Sequence, residues 1–133
     1  MPFSTYLSNK VLDHTVGKTS FTMPTNYLGL SSTTPTISGT NVTEPSTGSY
    51  ARVATSGSSW TAAASGVSVN AATLTFPTAS ADWVSAANLT YGVAYDASTS
   101  GNLLYFGALT TAKPVLNGDT VSIAPSGVSI TLS

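Results

Sequence analysis

Leu89-Thr-Tyr-Gly-Val-Ala-Tyr-Asp96 and Leu103-Leu-Tyr-Phe-Gly-Ala-Leu109, joined by Ala97-Ser-Thr-Ser-Gly-Asn102, carry the reading that decides the fold. Val, Tyr, Phe and Thr favour a pleated, half-buried backbone, and the join is built from turn residues. Two such runs on either side of a short Gly-containing connection predict an antiparallel hairpin.

Outward from this hairpin the same grammar repeats. Asn26–Ser31, Ser49–Thr55, Gly66–Asn70, Ala72–Phe76, Asp119–Ala124 and Gly127–Leu132 read as further strands, separated by Thr, Pro, Gly, Ser and Asn. Val121–Ala124 and Val128–Leu132 flank Pro125-Ser-Gly127 and read as a second hairpin. One stretch departs from this pattern. From Ser4 to Val16, Phe3, Leu7 and Val11 recur every four positions, with Leu12 and Val16 widening the stripe. Ser4 or Thr5 suits the N-cap, and Gly17 suits a left-handed end. A helix of about three turns is marginal alone and must pack against something. The expectation is a single mainly β domain over 1–133: a helix at 4–16, then an antiparallel β-sandwich of jelly-roll type over 25–132. Ser32–Thr47 is left as a long Thr-, Pro- and Gly-rich loop, expected to engage a partner and to be removable without unfolding the strands.

The composition is unusual in its charge. Only 7% of residues are charged, and Ser and Thr supply 43 of 133, whereas about a quarter of an average soluble protein is charged. A surface wetted by hydroxyls with a net charge of −1 does little to repel copies of itself, which suits a protein that sits in an assembly. Twelve aromatic residues and a hydrophobic fraction of 41% supply a core and argue against disorder. The basic residues Lys10, Lys18, Arg52 and Lys113 are scattered, which argues against a nucleic-acid partner. No apolar run approaches the ~20 residues of a membrane helix, and the first residues lack a secretory pattern, so synthesis and folding in the cytoplasm are expected.

Catalytic and cofactor motifs are not found. His14 is the one histidine and the five carboxylates are dispersed, so no metal or triad chemistry assembles in sequence. Cysteine is absent. Gly17-Lys-Thr19 ends like a phosphate loop but lacks the preceding glycine and strand. The sequons at Asn41 and Asn88 are what a Thr-rich chain produces by chance. No spacing favours a pair among Glu44, Asp82, Asp96 and Asp119 for sugar cleavage. The expectation is a non-enzymatic protein with no cofactor.

The blocks Tyr6-Leu-Ser-Asn-Lys-Val-Leu-Asp-His14, Tyr27-Leu-Gly-Leu-Ser-Ser-Thr-Thr-Pro35, Val42-Thr-Glu-Pro45 and Gly48-Ser-Tyr-Ala-Arg-Val53 come in a telling order. Leu74-Thr-Phe-Pro-Thr-Ala-Ser-Ala-Asp-Trp83, Gly92-Val-Ala-Tyr-Asp96, the 101–109 run, Gly118-Asp-Thr-Val-Ser122 and Ile130-Thr-Leu132 complete it. Together they resemble a family of small structural proteins of tailed-bacteriophage virions, known variously as head decoration (cement) proteins and as tail-fibre proteins. Val84-Ser-Ala-Ala-Asn88 departs from that pattern, standing where a Gly-containing turn is usual. The resemblance implies a virion structural component, and the first expectation is a cement protein on the outer capsid surface, a homo-oligomer of trimeric type bound to the major capsid protein. Its alternative is a tail-fibre or baseplate component bound to tail proteins and to a host. Candidate contact residues are the helix stripe Phe3, Leu7 and Val11; Arg52, which can clamp Glu44 or a partner's carboxylate; and Trp60, an aromatic in a small-residue loop. Trp83 reads as a core anchor.

Overall fold

A computed structural model describes residues 1–84 and 87–132 of the chain. It is 30% strand and 11% helix, with the helix at the N-terminus and every sheet antiparallel. The helix α1 spans Thr5–Thr15. Ser4 caps it, its Oγ accepting from the Leu7 amide at 3.2 Å. At the other end Gly17 takes φ +73°; Lys18 N–H reaches Asp13 O and Gly17 N–H reaches His14 O, which closes the last turn as a Schellman motif.

Strands β1 (Tyr27–Ser31), β2 (Val53–Ala54), β5 (Leu89–Tyr95) and β6 (Leu103–Lys113) make one sheet in the order β2-β1-β5-β6. The expected hairpin at 89–109 is its β5–β6 pair, with β6 running four residues further. Alternation sorts the side chains. Leu28, Leu30 and Ala94 face the main core, which holds Leu7, Leu74, Phe76, Trp83, Val115 and Val128. Val93, Tyr95, Leu103 and Phe106 face the other way. The register slips between Ala94 and Tyr95, so Leu104 and Tyr105, consecutive in sequence, both enter the main core. There they receive α1, whose Ser4 amide donates to Leu104 O at 2.8 Å.

The second face of the sheet is covered by the long loop at 32–47. Val42 packs on the Val93–Phe106 cluster, and Pro35 and Pro45 are buried. The loop is tied to itself: Ser31 Oγ accepts from Thr33 N and Thr43 N, Thr33 Oγ1 donates to Asn41 O, and Asn41 Nδ2 donates to Thr34 O. This corrects its reading as a removable segment, because stripping it would expose an aromatic half-core.

Strands β3 (Val67–Val69), β4 (Leu74–Thr75), β7 (Ser122–Ile123) and β8 (Ser129–Thr131) correct the second expected hairpin. β7 and β8 do not pair with each other; β7 pairs with β4 and β8 with β3. Residues 66–79 and 118–132 thus form one long antiparallel ribbon, from Leu132 N–H on Gly66 O to Gly118 N–H on Ala79 O. Pro125-Ser-Gly127 is a kink within one side of that ribbon. Asn70, wholly buried, fills the kink: Oδ1 accepts from Val128 N at 2.7 Å, and Nδ2 donates to Ala72 O and Ala124 O. The architecture is therefore a four-stranded sheet and a broken ribbon, and a jelly-roll path is not seen. Most strands are shorter than the sequence suggests; Ser49–Thr55, for example, contributes only Val53–Ala54. In the Val84–Asn88 stretch, residues 85 and 86 lie outside the described residues.

Candidate functional site

Glu44, Tyr50 and Arg52 converge on the loop-covered face of the sheet. Arg52 meets the Glu44 carboxylate through two nitrogens, Nη2 to Oε2 at 2.6 Å and Nε to Oε1 at 3.0 Å. Its Nη1 donates to Ala97 O at 2.8 Å and Ser100 O at 2.7 Å, which grips the tip of the β5–β6 hairpin. The guanidinium also lies 3.7 Å from the centre of the Tyr95 ring. A planar, always charged fork is the group that suits all three contacts at once. Tyr50 Oη donates to Glu44 Oε1 at 2.7 Å and accepts from Leu30 N at 2.9 Å. Burial, and after it the neighbouring Glu44 charge, pushes the Tyr50 phenol well above its ordinary value.

Gly29 makes room for this cluster. A Cβ there would sit 2.5 Å from Glu44 Oε1 and 2.7 Å from Tyr50 Oη, nearer than any real contact. The clamp therefore joins four pieces of chain: the covering loop, the segment before β2, the centre of β1 and the hairpin tip. Asp96 finishes the tip by accepting from Asn102 N at 2.6 Å and Asn102 Nδ2 at 2.8 Å.

The other expected contact residues lie elsewhere and point inward. Leu7 is fully buried against the body of the chain, so it is no part of the exposed surface. Phe3 and Val11 pack against that same core, and Phe3 bridges to Tyr105. The helix needed a surface to bury its stripe, and β6 of the same chain provides it. Trp60 does find local core. Its ring meets Tyr105 edge-on at 6.5 Å, and Nε1 donates to Thr55 Oγ1. Trp83 is buried as expected, stacked edge-on with Tyr50 at 5.1 Å and donating to Gly48 O. Among the described residues the large apolar side chains left in solvent are Leu12, Val16, Met23, Ile37, Leu116 and Leu132. Leu12 and Val16 stand one turn apart and carry the signal that was available: a stripe too wide for a single buried face.

The arrangement ties the loop, the sheet and the hairpin tip into one unit. Among the described residues no group of three or more His, Asp or Glu is placed to hold a metal ion. An apolar cleft of about 330 Å³ opens between β5–β6 and the ribbon, lined by Leu89, Leu109, Val115, Val121, Ile123 and Val128 among others. Thr110, Thr111, Lys113 and Ser122 supply its polar lining.

Comparison with known proteins gives one family. The model described as Podophage GP4 fiber I protein gp80 matches residues 2–131. No curated protein matches the chain.

Proposed function

The chain belongs to the podophage GP4 fiber I protein family, a family of phage virion structural proteins, and from that premise we propose that it is a building block of a fibre-type appendage of the particle. The single observation carrying this is the fibre description of a family that spans nearly the whole chain. It favours the tail-fibre reading over the cement reading that the sequence put first. The geometry supports a contact role. Loop, hairpin tip and sheet are locked together by the Glu44–Arg52 clamp, so the exposed surface is rigid before any partner arrives. A rigid surface loses little entropy on docking.

The protein then acts without catalysis, as a symmetric homo-oligomer of trimeric type seated on tail proteins, with affinity built from repeated weak contacts. Copy number and position in purified particles test this. Labelled antibody on the tail, with copies on the order of tens as symmetric appendages require, is the expected result. Hundreds of copies spread over the shell and crosslinked to the major capsid protein would return the protein to the cement role.

A further inference from the structure

The N-terminal arm, residues 1–21, is built like a separate part. Its grip on the body is extensive. Ser4 N–H donates to Leu104 O, Phe106 N–H donates to Pro2 O, and Thr5 N–H donates to Ile37 O at 2.8 Å. The Met1 side chain lies along the slot left by Gly92 and Gly107, glycines paired across β5 and β6. Leu7 is fully buried. The arm closes on itself at its far end, where Phe21 N–H donates to His14 Nδ1.

Between this arm and the body, which begins at Asn26, lie only Thr22-Met-Pro-Thr25. Among the described residues none of these four has a hydrogen-bond partner, whereas Asn26 O accepts from both Thr55 N and Thr55 Oγ1. Pro24 fixes its own φ and pushes Met23 towards extended backbone, so the hinge is held open rather than coiled into a turn. Four extended residues reach about 13 Å.

We propose that this arm is exchanged between copies of the chain, so that the groove on β6 filled here by a chain's own arm is filled, in the assembled protein, by the arm of a neighbour. Every arm–body contact is the same whether made within one chain or between two, so the choice rests on what happens near the hinge. There the single-chain form leaves apolar surface in water: Leu12 is 60% exposed, Val16 75% and Met23 48%. A neighbour crossing at the hinge brings the same three side chains against these. With 7% charged residues, little repulsion opposes it. The inference concerns copies of this chain and holds whichever part of the particle they occupy.

Thr5 and Ile37 are exposed, in backbone contact, and belong to arm and body respectively. The chain has no cysteine of its own. Full-length Thr5→Cys and Ile37→Cys single variants, refolded together at high concentration and oxidised, should yield the mixed disulfide as the main covalent product, several-fold above either homodimer. The double variant should run mostly as covalent multimers on non-reducing denaturing gels. Mixed disulfide no more abundant than the homodimers, together with a double variant that closes within one chain, would overturn the exchange.

Discussion

At the scale of single residues, the Glu44–Arg52 clamp is where small changes should cost most. Arg52 is 7% exposed and Glu44 19%, so neither charge is well solvated if its partner is lost. Glu44→Gln should lower stability by about 2–4 kcal/mol, near the range for breaking a buried pair. Chemical denaturation checks this, and a double-mutant cycle with Arg52→Met should show positive coupling. The buried phenols make a separate prediction. Tyr50 and Tyr105 are pushed well above the ordinary tyrosine value, chiefly by burial. Below pH 10 both are neutral in folded and unfolded chain alike, and nothing changes. Above it the unfolded chain ionises them while the folded chain does not, so stability falls as pH rises, by about 1.4 kcal/mol per pH unit for each. Urea midpoints at pH 9, 10 and 11 should decline in that manner, and Tyr105→Phe should flatten the slope. Part of the clamp was legible beforehand. Tyr50 and Arg52 lie two apart on an extended segment, and Glu44 is the acid nearest to them in sequence. The Tyr95 ring and the hairpin carbonyls were not legible, because they reach Arg52 only through the pairing of β1 with β5.

At the scale of elements, the two hairpins expected from sequence had opposite fates for one reason. The 89–109 hairpin is local, and its strands and turn lie together in the chain. The 121–132 segment has equally good turn residues, but its partners lie from 47 to 64 residues earlier. Turn chemistry marks where a chain bends and says nothing about which edge it will join. Asn70 decides the matter by satisfying three backbone groups around the bend. Asn70→Ala should cost about 3 kcal/mol, at roughly 1 kcal/mol for each group left unbonded. Faster amide exchange at Val128, with Leu104 still protected, would show that the damage is confined to the ribbon. The helix was readable almost to the residue, since its cap serine, its end glycine and its four-residue stripe are all local signals. The destination of that stripe was not, because burial against one's own sheet and burial against a neighbour demand the same pattern.

At the scale of the whole molecule, the fold class was visible in composition and period, while the arrangement of a four-stranded sheet beside a broken ribbon was not. Short strands of two or three residues leave almost no periodic trace. The described residues gather no metal-binding group, and the unfolding temperature should be unchanged in the presence of a strong chelator. A fall of several degrees would reveal a bound ion. The hydroxyl-clad surface has a further consequence. Among the described residues the one ion pair lies under a loop, where dissolved salt screens it poorly. Urea midpoints measured from millimolar to molar sodium chloride should therefore move by less than about 0.5 kcal/mol in stability terms. A virion subunit of this kind would hold nearly the same stability in dilute and in concentrated salt.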